Sequence, residues 1–364
     1  MASSLVIDDI TLNEDLEELE LEWPSSDSEL SDHKRSCYTL REVTARDAEN
    51  GTDVQGINWD SFNVTRQRYR EEIKPVRNDG EFFKFKYTTL SHKCSIVHFQ
   101  LRNLLWSTGR NDIFYTHSSR INYWNSIMKK SKVALDLDQA FEIRLYGEFA
   151  CRRLDAEPIH FGTVTTDANG ITNHMDIIES RTGSTVAVIS SNDKKSRIMD
   201  LASLKFIDTY DFEWAVNCTS VSPNRDLLCV VGDDTETMIV SSETGKVVSV
   251  LKGHIDYSFA CCWSPNGRII ATGNQDKTTR LYDTRNMSKS FAVLGAKIGA
   301  VRSLQFSADG RYLSMAEPAD FVHVFDAHTF ERSQVFDLFG EIAGVTFTPD
   351  SEGLYIANAD ENYG

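Results

Sequence analysis

The chain has 364 residues, of which 41% are hydrophobic and 10% aromatic, enough apolar surface for a large core, which excludes a wholly disordered chain. Residues 1–32 hold eleven Asp or Glu and no Lys or Arg, so they carry −11 of the formal −16 and leave the remainder near −5. No basic stripe is available to meet a phosphate backbone, and direct nucleic-acid binding is therefore not expected.

The seven cysteines (Cys37, Cys94, Cys151, Cys218, Cys229, Cys261, Cys262) are odd in number and show no C-x-x-C pair, so a metal or redox frame is not expected and the thiols are read as reduced. No run approaches the roughly 18 apolar residues of a membrane span, and the N-terminus has no basic-then-apolar signal pattern. The expectation is an intracellular chain, cytoplasmic or nuclear, in which the sequons at Asn63 and Asn217 carry no meaning.

In chain order, residues 1–50 mix acidic residues with Ser and are predicted to be a disordered acidic tail, unable to offset its ordering entropy. Within it, LNEDLEELELEW has the pattern of an acidic amphipathic helix that forms on a partner, and Ser26 with Glu29 three residues on suits an acid-directed kinase. The simpler reading of both is a solvated charge run. Residues 51–80 are predicted to be a linker with a short helix, because DSFNVTRQRYREE sets cap residues before a polar helical stretch.

From residue 81 to 364 the texture is short β-branched and aromatic runs parted by turn signals, and the runs repeat. Segments matching ATGNQDKTTRLYD end at Asp200, Ser242, Asp283 and Asp326, at intervals of 42, 41 and 43 residues. A second marker, the hydroxyl residue of VSPNRDLL, WSPNGRII, FSADGRYL and FTPDSEGL, places Ser222, Ser264, Ser307 and Thr348 at intervals of 42, 43 and 41. Four strands in about 42 residues make one propeller blade, a unit that must stack on neighbours to bury its faces.

The segment GHIDYSFACCWSPNGRIIATGNQDKTTRLYDTR, Gly253 to Arg285, resembles a WD repeat. It has Gly253-His254 at its start, Thr272 in its second strand, Asp276 in the tight turn and Tyr282-Asp283 where the family shows Trp-Asp. The resemblance implies an all-β WD-repeat propeller in which His254, Thr272, Asp276 and Tyr282 form a structural hydrogen-bond network, with Tyr in place of Trp at the last link. The whole stretch from about residue 80, through HFQLRNLLWST, TTDANGITN, FSADGRYL and SMAEPADFVHVFD, is similar to a functionally uncharacterised plant and fungal WD-repeat group.

Third-strand ends at Asn125, Asp155, Asp200, Ser242, Asp283 and Asp326, plus the unfinished GLYIANADENYG, predict seven blades. The one ending at Asp155 is too short and the last lacks its third strand. The expected closing strand is EFFKFKYTTL, residues 81–90, the family's way of joining the ends, since open edges invite other chains.

Strong motifs for phosphate binding, dinucleotides, zinc proteases and serine hydrolases are absent from the sequence. Asp167-Ala168-Asn169-Gly170 sets its Gly too early for a calcium loop. No enzyme activity, cofactor, metal site or small-molecule substrate is expected. The expected function is a protein-interaction scaffold, with other proteins as partners. Lys194, Lys195, Asp233, Asp234 and Lys277 in the tight turns are candidate partner contacts. Tyr282-Asp283-Thr284-Arg285 resembles the box of WD-repeat substrate receptors of cullin-4 ubiquitin ligases, which makes Asp283 and Arg285 candidate contacts for the ligase adaptor. The acidic tail suggests a third reading, a basic partner such as a histone.

Overall fold

The repeat marker has a local cause. In the computed structural model, Ser222, Ser264, Ser307 and Thr348 each accept, on the side-chain oxygen, the backbone N–H five residues on, at 2.9, 2.9, 3.0 and 2.8 Å. Each hydroxyl also donates to the Asn or Asp two residues on, at 2.8, 2.8, 2.7 and 2.5 Å. The residue three positions on has a positive φ in every copy: Arg225, Gly267, Gly310 and Ser351. Gly adopts that left-handed conformation without a Cβ penalty, and two of the four copies use it. This turn joins the first two strands of successive repeats, which is why its hydroxyl keeps phase.

The described residues are 42–62, 64–71, 73, 77–95, 103–136, 148–151, 160–167 and 170–359. The acidic run, Ser26, Cys37, the Asn63 sequon, Asp155 and residues 168–169 of the rejected calcium loop lie outside them. Four antiparallel four-stranded sheets span 105–136, 172–211, 216–251 and 258–295, and a fifth begins at Ser303–Phe306. In that fifth sheet the 15-residue strand Ser333–Phe347 pairs first with Ala319–Asp326 and then with Leu354–Asn358. A two-stranded pair, Glu148–Cys151 with His160–Thr163, lies between the first and second blades in sequence. The strands thus make a propeller arrangement with five blades among the described residues, where the sequence count was seven.

The core lies between blades, as flat sheets with two apolar faces require. Val188, Trp214, Val230 and Val240 join the second blade to the third. Cys229, Ile239, Trp263, Ile270 and Tyr282 join the third to the fourth, and Leu281, Val301, Leu313 and Met315 join the fourth to the fifth. Gly273 is needed at this last seam because a Cβ there would lie 2.5 Å from Val301 Cγ1.

The closing-strand expectation is corrected. Tyr87–Thr89 pairs antiparallel with Glu42–Thr44, not with the last blade. The residues before it are tied elsewhere: Asp79 and Gly80 N–H donate to Ser333 O, Phe82 and Phe83 N–H donate to Gln334 Oε1, and both rings sit 5.2 Å from Tyr312. The last strand pair meets the first blade directly. Leu104 N–H donates to Ala343 O at 3.1 Å, and Tyr355 OH donates to Arg110 O at 3.1 Å.

Upstream, residues 42–50, which composition assigned to the tail, form Glu42–Thr44 and the helix Ala45–Glu49 capped by Thr44 and Asp47. The predicted linker helix is Arg66–Arg70, capped by Thr65. The described residues between 53 and 83 hold to the strand Ser333–Phe347 as a strap. Gln55 exchanges two bonds with the Phe339 backbone at 2.8 and 2.6 Å, and Arg70 stacks 3.9 Å above the Phe339 ring while pairing with Asp320 and Asp337. Among the described residues no helix is long and apolar enough to cross a membrane.

Candidate functional site

The loop between the third and fourth blades is pinned by buried side chains. The His254 side chain is 1% exposed, its Nδ1 lies 2.8 Å from Asp276 Oδ2 and its Nε2 lies 2.9 Å from Thr272 Oγ1. Burial, outweighing the Asp276 carboxylate, holds His254 below the ordinary histidine range. The neutral ring therefore carries its proton on Nδ1, facing the carboxylate, and accepts from the Thr272 hydroxyl on Nε2. Asp276 also accepts the Thr278 N–H at 3.0 Å and its hydroxyl at 2.6 Å. Tyr282 donates to Lys252 O at 3.1 Å. The phenol thus reaches the loop backbone, and burial raises it to about 12.

Other blades pin their loops with different chemistry. In the fifth, Glu317 and His323 are both fully buried and meet at 2.7 Å, and Glu317 accepts the N–H groups of Lys297, Ile298 and Gly299 at 2.7, 2.8 and 2.7 Å. Burial would raise this carboxyl, but His323 and the three backbone donors hold it below its usual value. In the second, Asp193 and Arg197 form a bidentate pair at 3.0 and 2.5 Å. Sequence reasoning missed Glu317 and His323. Their signal was positional: the strand pairing sets Glu317 where the fourth blade has Asn274, and His323 where it has Arg280. A buried charge persists only when paired.

The candidate turn residues are mostly engaged with groups on or beside neighbouring strands, outside their own turns. Lys194 and Lys277 occupy the same left-handed turn position, and their carbonyls accept the N–H groups of Phe212 and Ala296. Lys195 pairs with Asp211, Asp233 accepts Asn217 Nδ2 at 2.9 Å, and Asp234 accepts the Glu236 N–H at 2.8 Å. Arg285 has a side chain 76% exposed that folds back on Asp283, with Nε–Oδ1 at 2.9 Å. Arg285 in turn holds Asp283 at about 2.

The pinned loops present apolar side chains to solvent, beside the exposed Lys252. Ile255 is 81% exposed, Tyr257 49% and Ile298 38%, all within three residues of a pin, His254 or the segment held by Glu317. Among the described residues no group of three or more His, Cys, Asp or Glu is placed to hold a metal ion.

Residues 245–283 match the family described as "WD domain, G-beta repeat". The chain is similar to "Eukaryotic translation initiation factor 3 subunit I" of Caenorhabditis elegans, 25% identical over 215 residues, which is 54% of this chain and 63% of the relative. It is similar to "Protein SOF1" of Saccharomyces cerevisiae, 26% identical over 219 residues, 54% of this chain and 43% of the relative. It is also similar to "U3 small nucleolar RNA-associated protein 18 homolog" of Homo sapiens, 25% identical over 150 residues, 40% of this chain and 27% of the relative. The chain therefore spans less than two thirds of each of these relatives. Among solved structures, a chain of "Crystal Structure of Mitotic Checkpoint Complex" aligns with a TM-score of 0.48 at 16% identity, covering 74% of this chain and 80% of that one. With the blade repeated in phase, its turn chemistry and the matched repeat, the chain belongs to the WD-repeat β-propeller family.

Proposed function

We propose that this chain is a non-enzymatic scaffold that docks partner proteins on its pinned loop face, on a ring of seven blades of which two are only strand pairs. The observation that carries the reading is the exposure of Ile255, Tyr257 and Ile298 on loops fixed by buried His254 and Glu317. An exposed apolar side chain on a rigid loop loses little conformational entropy on binding, and large apolar and aromatic anchors supply most interface energy. The relatives' names, a subunit of an initiation factor and a nucleolar RNA-associated protein, favour partners that belong to a multi-protein assembly.

The test is affinity purification of the tagged chain, of Ile255→Asp with Tyr257→Asp, of Arg285→Ala, and of a chain lacking residues 1–32. The expected result is a set of partners lost only with the paired loop substitutions. Recovery of the cullin-4 adaptor, lost only with Arg285→Ala, would replace this reading with the ligase-receptor one. Partners lost only without residues 1–32, and released by salt, would replace it with the basic-partner one.

A further inference from the structure

The turn from the third to the fourth strand is built alike in the first, second, third and fifth blades. A side-chain oxygen of Asn125, Asp200, Ser241 or Asp326 accepts a backbone N–H two or three residues on. The residue four positions on, Lys129, Leu204, Gly245 or Phe330, has a positive φ. Neither feature asks anything of the two side chains at the tip. Those are Ala202-Ser203, Glu243-Thr244 and His328-Thr329 in three of the blades. In the first blade they are Ile127 and Met128, 73% and 59% exposed. Single exposed apolar residues are ordinary, but an adjacent pair at the tip of a turn that its sister blades fill with small or polar residues points to an interaction.

The residues behind the tip set the kind of partner. Lys129, Lys130 and Lys132 are all exposed. Lys129 is offset by Glu42, whose Oε1 lies 2.6 Å from Nζ. Lys130 and Lys132 pair with no carboxylate among the described residues, and the strand pairing sets them on one face, opposite Asn125 and Tyr123. The Tyr123 ring, 5.3 Å from Lys132 Nζ, is neutral and leaves that charge in place. Two apolar side chains on a projecting tip, with cations one step behind them, match the layers of an anionic leaflet: acyl boundary first, phosphates above it.

We infer that this turn rests the chain on an anionic lipid surface, with Ile127 and Met128 entering the interfacial layer and Lys130 and Lys132 facing the phosphates. Such a contact needs no membrane-spanning segment. The four strands of the blade run antiparallel in order, so this turn lies at the opposite end of the blade from the pinned loops. The inference therefore does not rest on the loop-face reading. The chain carries a formal charge of −16, so the attraction is local to the lysines and sensitive to salt.

The test is co-sedimentation of the full chain with vesicles of phosphatidylcholine alone and of phosphatidylcholine rich in phosphatidylserine. Partition is expected only onto the phosphatidylserine vesicles, and raised salt should reduce it. Ile127→Ala with Met128→Ser, which writes the second blade's tip into the first and so keeps the turn, should weaken partition about tenfold. Lys130→Ala with Lys132→Ala should also weaken it about tenfold, and Ile255→Asp should leave it unchanged. No partition onto either vesicle, equal partition onto both, or full partition of the Ile127→Ala, Met128→Ser chain overturns the inference. Binding of poly-glutamate through Lys130 and Lys132 without any vesicle binding would also overturn it, and would assign the tip to an acidic polypeptide.

Discussion

Replacing Asp276 with Ala removes one acceptor from the His254 pin and exposes how much of the fold that pin supports. Three short bonds disappear, to His254 Nδ1 at 2.8 Å, Thr278 N at 3.0 Å and Thr278 Oγ1 at 2.6 Å. The imidazole N–H is left inside, on a side chain 1% exposed. A hydrogen bond to a charged group contributes about 1.5–3 kcal/mol, and removing one partner of a buried pair costs about 3–5 kcal/mol. Adjacent solvent at the exposed Ile255 softens the loss, so about 3 kcal/mol is expected. Urea unfolding followed by circular dichroism measures it, and amide exchange at residues 254–256 and 276–278 localises it, since repeat folds can lose cooperativity. Asp283→Ala is the control in the neighbouring strand end: it breaks an exposed pair with Arg285 and should leave the midpoint where it is. Equal shifts in the two variants would refute the reasoning, because burial would then have no bearing on the value of the bond.

Acid should unfold the chain in steps. His254, Glu317 and Asp276 all sit below their ordinary values of 6.5, 4.5 and 3.8, so each binds fewer protons folded than unfolded. The stability these three groups contribute is complete above about pH 6.5 and falls as pH drops, first through His254 and then through the two carboxylates; in His254→Gln a pH series of urea midpoints should lose the first step. Arg70→Ala removes the ion pairs to Asp320 and Asp337 and the stack on Phe339; limited proteolysis should then cut within residues 53–83, and the chain should lose about 2 kcal/mol. Gly232→Ala would push a Cβ to 2.0 Å from Ala215 O and 2.4 Å from the Trp214 ring, and a thermal melt should show a loss of about 3 kcal/mol. Burial pushes the thiols of Cys94, Cys261 and Cys262 upward, and the contact with Cys261 followed by burial does the same for Cys218, so iodoacetamide should label them only after unfolding, as mass spectrometry would show.

The repeat was legible because its chemistry is local. Ser264, Asn266 and Gly267 lie within four residues and satisfy one another, so every copy must spell the turn in nearly the same letters. The His254, Thr272 and Asp276 pin could be read for the same reason, as its members lie within 23 residues of a single repeat. The strap could not. Gln55 meets Phe339 and Arg70 meets Asp337 across 284 and 267 residues, and no periodicity links positions so far apart. EFFKFKYTTL was expected to close the ring as the family does, yet Phe82 and Phe83 use their rings on Tyr312 and leave Tyr87 to reach Trp124. Glu317 and His323 were hidden because they pin the loop from the places of Asn274 and Arg280, which the His254, Thr272 and Asp276 pattern does not use.

The docking face is the central claim, and hydrogen–deuterium exchange of the chain alone and bound to a purified partner tests it most directly. Protection on binding should concentrate at residues 252–257 and 296–302, with the outer strands Lys205–Asp211 and Val247–Leu251 unchanged. Protection confined to those outer strands, with both loops exchanging as in the free chain, would contradict the account.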